Sequence, residues 1–187
     1  MATNTFKITI HMVASLDGMI AKPDNSIAWF DTKDYYENGT EITPQQAADF
    51  LKTIDCYVMG ARTYEHALEL SKNYGWAYGD TPTIVLTHRP LPAIKPGVQL
   101  YAGSLHALVE EQLKPRYKNV WVAGGAILAK NFINEELADE IRLTIIPVVL
   151  GDGVPFFKGP GQEHLLHLLN VTPYKTGMVE LQYGIRK

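Results

Sequence analysis

Apolar residues in this chain fall in short unbroken runs, and the segments between several of those runs carry helical spacing. Residues 7–14 (KITIHMVA) are mostly β-branched and apolar and end at the turn-like Ser15-Leu16-Asp17-Gly18, which predicts a buried first strand. Residues 55–60 (DCYVMG), 83–87 (TIVLT), 98–101, 120–123 (VWVA) and 140–146 read as further strands. Thr43-Pro44-Gln45-Gln46 is a helix start: Thr43 as N-cap, Pro44 in the first helical position, Gln46 closing a capping box. Ala47, Phe50, Leu51 and Ile54 then share one apolar face. Helices are also expected from Thr63 to about Lys72, after Ser104 with Leu105, Leu108, Val109 and Leu113 on one face, and from Gly125 to about Asn134. Residues 18–43 and 73–80 keep neither period and read as long loops, the first with room for one short helix. Residues 165–186 read as a β-hairpin turning near Lys175-Thr176-Gly177.

Strands that do not alternate, separated by helices, indicate a mainly parallel sheet covered on both faces. The closing hairpin adds antiparallel strands at one edge. The 187 residues, 46% apolar and 20% charged, suit a single α/β domain with a sizeable core. A net charge of −3 gives no electrostatic case for nucleic acid or an anionic membrane, so any anion site must be local. The single cysteine, Cys56, sits in an apolar run and reads as a buried free thiol. The N-terminal residues hold no apolar stretch long enough for a signal peptide or membrane span, which predicts a cytoplasmic protein.

Three predicted strand ends carry candidate chemistry. Val120-Trp121-Val122-Ala123 runs into Gly124-Gly125 and a helix, where bare glycines let a diphosphate approach free N–H groups and the positive end of the helix dipole. Met59-Gly60-Ala61-Arg62-Thr63 repeats the arrangement, with an arginine at a helix N-terminus that an anion would relieve. Thr87-His88-Arg89 places basic residues after a third strand. Ligands of open α/β sheets lie beyond the carboxyl ends of the strands, so the three together point to one phosphate-rich ligand. The Gly-x-Gly-x-x-Gly fingerprint is absent, against a Rossmann reading. Trp29, Phe30, Tyr35, Tyr36, Trp76 and Tyr78 cluster in the long loops, where they could wall a flat heterocycle. His164 and His167 have the spacing of one helical face, but no further Cys/His cluster accompanies them, and no metal is expected.

In this order, these pieces resemble the dihydrofolate-reductase-like superfamily. They are most similar to the reductase domain of the bifunctional riboflavin deaminase–reductase (the RibD C-terminal domain) and its stand-alone relatives. The motifs that carry the resemblance are Ser15-Leu16-Asp17-Gly18-x-Ile20-Ala21, Ser26-Ile27-Ala28-Trp29, the Gly60 to Thr63 turn, and the run from Val120 through Leu150-Gly151-Asp152-Gly153. The resemblance implies a three-layer fold with a C-terminal antiparallel hairpin, NADPH as cofactor, and a homodimer. It implies that Ala14, Ile20 and Ala21 line the nicotinamide pocket and that Gly60, Arg62 and Thr63 hold cofactor phosphates. Thr87, His88 and Arg89 would surround the adenosine 2′-phosphate, and Gly124, Gly125, Ala126, Ile127 and Leu128 would receive the diphosphate. Asp17, Ser26, Trp29, Phe30 and Gln46 would lie toward the substrate, with Asp17 either a proton donor or a turn residue.

The substrate side departs from its relatives. Gln46 stands where dihydrofolate reductases carry the carboxylate that assists pterin protonation, and Ala123 stands where riboflavin reductases commonly carry an acid. The basic residues that would meet a ribose phosphate give way to Asp31, Asp34 and Glu37. The expectation is hydride transfer from NADPH to a small planar carbonyl or imine substrate, in the manner of 5-amino-6-(5-phosphoribosylamino)uracil reduction. The alternatives are a catalytically quiet NADPH- or flavin-binding module and a dihydrofolate reductase.

Overall fold

A computed structural model describes residues 6–91, 95–157 and 161–187. In chain order the elements are β1 (Lys7–Ser15), β2 (Met19–Ala21), a 3-10 turn (Ala28–Phe30), α1 (Pro44–Leu51), β3 (Cys56–Gly60), α2 (Ala61–Tyr74), β4 (Thr83–Leu86) and β5 (Val98–Tyr101). They continue with α3 (Leu105–Ala107), a π-helical stretch (Leu108–Leu113), β6 (Asn119–Val122), α4 (Ala126–Asn134), β7 (Glu140–Ile146), β8 (Val154–Pro155), β9 (Leu166–Pro173) and β10 (Val179–Ile185). Eight strands form one sheet in the order β5-β4-β3-β6-β1-β7-β10-β9. The first six run parallel, and β10 and β9 join antiparallel. This is the α/β architecture the apolar runs predict.

The pleat divides the sheet's side chains between two cores. Ile8, Ile10, Val58, Val120 and Val122 face α4 and the π-helical stretch, where Leu108, Val109, Leu113, Phe132 and Ile133 close the packing. Cys56 lies in this core, and burial pushes its thiol up to about 12. On the other face Tyr57, Met59, Val85 and Trp121 pack with Tyr64 of α2. Each core removes large apolar side chains from water, at about 25 cal/mol per Å² buried.

Helix α1 begins as its four-residue start predicts. Thr43 Oγ1 accepts from Gln46 N–H at 3.2 Å, and Gln46 Oε1 accepts from Thr43 N–H at 2.9 Å. Its apolar face is only partly used. Phe50 packs on Trp121 with ring centres 5.2 Å apart, whereas Leu51 is 45% exposed. Helix α2 starts two residues earlier than Thr63, with Gly60 as its N-cap, which places Arg62 and Thr63 in the first turn.

Between residues 18 and 43 the chain is more ordered than its composition suggests. Strand β2 pairs with β8, and Ala28–Phe30 forms a single 3-10 turn. The later part docks on the hairpin turn: Tyr36 N–H donates to Lys175 C=O at 2.8 Å, and Thr40 N–H to Pro173 C=O at 2.7 Å. Residues 166–173 are strand, so His167 lies on β9 with His164 just before it, not on a helix as their spacing suggested. Leu166 to Val171 is a β-forming run whose ladder with β10 overrides the i, i+3 spacing.

Candidate functional site

A cleft of about 1330 Å³ opens beyond the carboxyl ends of β3, β4 and β6 and continues over the Trp121 face of the sheet, beneath α1. At the strand ends the two glycine turns meet. Gly60 N–H donates to Gly124 C=O at 3.0 Å, and a Cβ placed on Gly125 would lie 3.3 Å from Thr63 Oγ1. Gly124 has φ +112°, and a Cβ there would lie 3.3 Å from Met12 Sδ, so a side chain at this position is strained. Helices α2 and α4 both start at these turns, with Gly60 and Gly125 as N-caps that offer no capping side chain. Their first N–H groups are therefore left for solvent or for an anion. Thr87, His88 and Arg89 line the same end. Thr87 Oγ1 accepts from Arg89 N–H at 3.1 Å, and the Arg89 guanidinium lies 2.6 Å from Glu65.

Every residue assigned above to the cofactor lines this one cleft except Ala14. Ala14 is 1% exposed, on the same pleat side as Ile8, Ile10 and Met12; of β1, His11, Met12 and Val13 border the cleft. The four residues assigned to the substrate divide. Phe30 lines the cleft. Trp29 is 9% exposed, lies edge-on behind Phe30 with ring centres 4.7 Å apart, and borders a separate cavity of about 330 Å³. Ser26 Oγ accepts from Ala28 N–H at 3.4 Å and stays outside the cleft. Gln46 is also outside, because its side chain is committed to the capping box.

Asp17 is placed by its hydrogen bonds. Its carboxylate accepts from Ser15 Oγ at 2.5 Å, Leu150 N–H at 3.1 Å and Gly151 N–H at 2.8 Å. These contacts, Ser15 foremost, hold its pKa down at about 2. An ionised carboxylate so engaged has no proton to give near neutral pH, and Asp17 does not line the cleft. The geometry makes it a clasp between the end of β1 and the 150–151 turn. Its backbone partners lie at positions 150 and 151, remote in sequence, while Gly18 N–H donates to Ser15 C=O and not to the Asp17 side chain.

Sequence reading missed the residues over the sheet face. His11 stacks on Trp121, with ring centres 4.5 Å apart and planes 20° from parallel. Desolvation pushes its pKa down to about 4, so the imidazole is neutral at pH 7. Tyr57 and Tyr78 meet edge to face at 4.8 Å, and both line the cleft with Val13, Ile27 and Leu51. On α2, His66 borders the cleft with Nε2 buried and without a hydrogen-bond partner among the described residues. One signal was available: a histidine inside an apolar strand run demands a polar explanation. Of the loop aromatics, Phe30 and Tyr78 reach the cleft, while Tyr35 and Tyr36 are 67% and 45% exposed. Among the described residues no group of three His, Cys, Asp or Glu gathers as a metal-ligand set, and no helix is long and apolar enough to cross a membrane.

Known proteins with the same architecture share its full extent. The structure superposes on that of a protein from Shewanella sp. PV-4 assigned provisionally to riboflavin biosynthesis, with TM-score 0.81 at 22% identity over 97% of this chain and 100% of the other. A diaminohydroxyphosphoribosylaminopyrimidine deaminase/5-amino-6-(5-phosphoribosylamino)uracil reductase from Thermotoga maritima matches with TM-score 0.69 at 14% identity; 97% of this chain lies on 57% of that one. In sequence, the uncharacterised protein YwjB of Bacillus subtilis strain 168 is 34% identical over 178 residues, covering 95% of this chain and 97% of its own. The uncharacterised protein YyaP of the same strain is 27% identical over 97% of each chain. The family model of the RibD C-terminal domain matches residues 6–180, and with that span the chain belongs to the RibD C-terminal domain family, a family of reductases.

Proposed function

We propose that the protein is an NADPH-dependent reductase, acting in the cytoplasm, that delivers hydride to a small planar carbonyl or imine substrate. One observation carries the reading: two uncapped helix N-termini, two glycine turns and a basic strand end converge on a single cleft whose other half is walled by aromatic rings. The residues present fit a dinucleotide. Bare backbone at Gly124 and Gly125 would admit the diphosphate, the α2 and α4 N-termini would bind its charge, and Arg62, His88 and Arg89 would take the 2′-phosphate. The buried Nε2 of His66 has no hydrogen-bond partner among the described residues and would find one on a ligand.

NADPH, when bound, supplies the hydride. The chain's own part is to bind, orient and exclude water. His11, backed by the buried Trp121 ring, and the Phe30 ring would offer surfaces on which a ring substrate would lie. Tyr57, whose hydroxyl burial raises to about 12, stays protonated and can donate a hydrogen bond to a carbonyl. Fluorescence titration with NADPH, followed by NADPH oxidation against pterins, aminopyrimidines and quinones, tests the proposal. Saturable turnover of one class is expected. Tight NADPH binding with background rates throughout would favour a quiet binding module instead.

The homodimer remains a proposal of the same kind. Strand β9 is one of the sheet's two edges, and its Leu166, Leu168, Leu169 and Val171 are between 39% and 49% exposed. An apolar edge of this sort is ordinarily covered, and a second copy is the simplest cover.

A further inference from the structure

We infer that the substrate half of the cleft takes an uncharged planar heterocycle and rejects the same ring carrying a phosphate. The inference rests on the reductase reading and names its substrate class.

On the face of the sheet beneath α1, the pleat sets Tyr57 of β3, Trp121 of β6, His11 of β1 and Arg142 of β7 in a band, with Tyr57 beside Trp121 and His11 beside Arg142 in register. The first three line the cleft; the arginine does not. Its guanidinium is bound to Glu180 at 2.7 Å, with the two side chains 21% and 8% exposed, and the Phe50 ring covers it 4.4 Å from Cζ. The arginine of this band is thus paired with a carboxylate and covered on the Phe50 side.

What faces the substrate half of the cleft is neutral. The His11 imidazole, held uncharged by burial, and the Tyr57 hydroxyl are hydrogen-bonding groups without charge. Val13, Ile27, Phe30 and Leu51 supply apolar surface. Among the described residues that line the cleft, the arginines are Arg62 and Arg89, at the strand ends assigned to the cofactor, and Arg89 is already shared with Glu65. In the smaller cavity behind Trp29, Lys33 is one lining residue beside two carboxylates, Asp31 and Asp34. A phosphate dianion on the substrate side would therefore lose water and meet no opposite charge, which is strongly unfavourable. A neutral ring loses little water, stacks on the aromatic wall, and has its heteroatoms met by His11 and Tyr57.

The test is calorimetric titration of a matched pair, 5-amino-6-(ribosylamino)uracil and its 5′-phosphate, onto the full chain with and without saturating NADP⁺. The nucleoside is expected to bind at least about tenfold more tightly, a difference of about 1.4 kcal/mol. Leu51→Arg, which adds a cation at an exposed rim position, should reduce or reverse that preference. Equal or tighter binding of the phosphate by the wild-type chain, or binding of neither compound, overturns the inference. Failure of NADP⁺ to bind while the nucleoside preference persists would sink the reductase reading and leave the substrate class standing.

Discussion

Glu65 on α2 grips Arg89, beyond the end of β4, at 2.6 Å across the mouth of the cofactor end of the cleft. The side chains are 33% and 53% exposed, so the bridge adds little to stability, and its importance is to any anion that wants the same guanidinium. A 2′-phosphate there must share Arg89 with Glu65 or displace it. Glu65→Gln is therefore expected to tighten NADPH binding without affecting NADH. Arg89→Ala should cost about 1.5–3 kcal/mol in NADPH affinity, roughly ten- to a hundredfold. Titration calorimetry with both cofactors reads the result. If neither variant changes the NADPH-to-NADH ratio, Arg89 is no part of the clamp.

The two glycines of the Gly124-Gly125 turn should fail differently. Gly125 has φ −84°, open to any residue, and meets only Thr63 Oγ1 at 3.3 Å. Gly125→Val should fold with a small loss of stability and lose cofactor binding, because its side chain would occupy the approach to the α4 N-terminus. Gly124 combines φ +112° with the Met12 contact, so Gly124→Ala should cost about 1–3 kcal/mol of stability even without ligand. Melting curves with and without NADPH separate the two. A Gly125→Val protein that binds NADPH normally would make the turn purely structural.

Asp17→Asn should act on stability before it acts on rate. A carboxylate whose folded pKa is lowered from 3.8 to about 2 contributes stability that is complete above pH 4 and is lost as pH falls toward 2. The variant should melt below wild type at pH 7, and the gap should close across that window. Single-turnover hydride transfer, once a substrate is in hand, should be within a few-fold of wild type. An unchanged melting temperature with a hundredfold slower transfer would restore the proton-donor role.

His11 gives the adjoining, milder acid range a signature of its own. Its folded pKa of about 4 lies below the ordinary 6.5, so the unfolded chain binds a proton that the folded chain refuses. Stability is full above pH 6.5 and declines with a one-proton slope down to about pH 4. His11→Gln should flatten that slope, as read by urea unfolding at pH 7 and pH 4.5. The same slope in the variant would move the responsible group elsewhere.

If β9 is the dimer edge, Leu168→Lys should dissociate the protein without unfolding it. Sedimentation velocity should then give a monomer with unchanged circular dichroism. A wild-type chain that sediments as a monomer removes the proposal outright.

Much of this molecule could be read from neighbouring residues. The capping box at Thr43 and Gln46 is local chemistry, as are the glycine turns that end β3 and β6, and these define the cofactor end. The illegible parts depend on partners distant in sequence. Asp17 is explained by amides at positions 150 and 151, and β2 exists only because β8 pairs with it. The apolar face of α1 predicts burial, yet Leu51 borders the cleft, because amphipathic spacing does not distinguish a core from a binding site. His11 was passed over because nothing in residues 7–14 says which pleat faces a cleft; its neighbours Trp121 and Arg142, on other strands, decide that.

At the hairpin turn, Gly177 has φ +76°, and a Cβ there would overlap the Asp34 carboxylate, while a Cβ on Gly39 would strike the Tyr174 backbone. The loop that supplies Phe30 and the turn joining β9 to β10 are thus fitted to each other without spare volume. The consequence is for transplantation. A relative's 22–43 segment grafted here to change substrate choice would have to bring residues 173–178 with it, so specificity in this fold is inherited as a pair of segments remote in sequence.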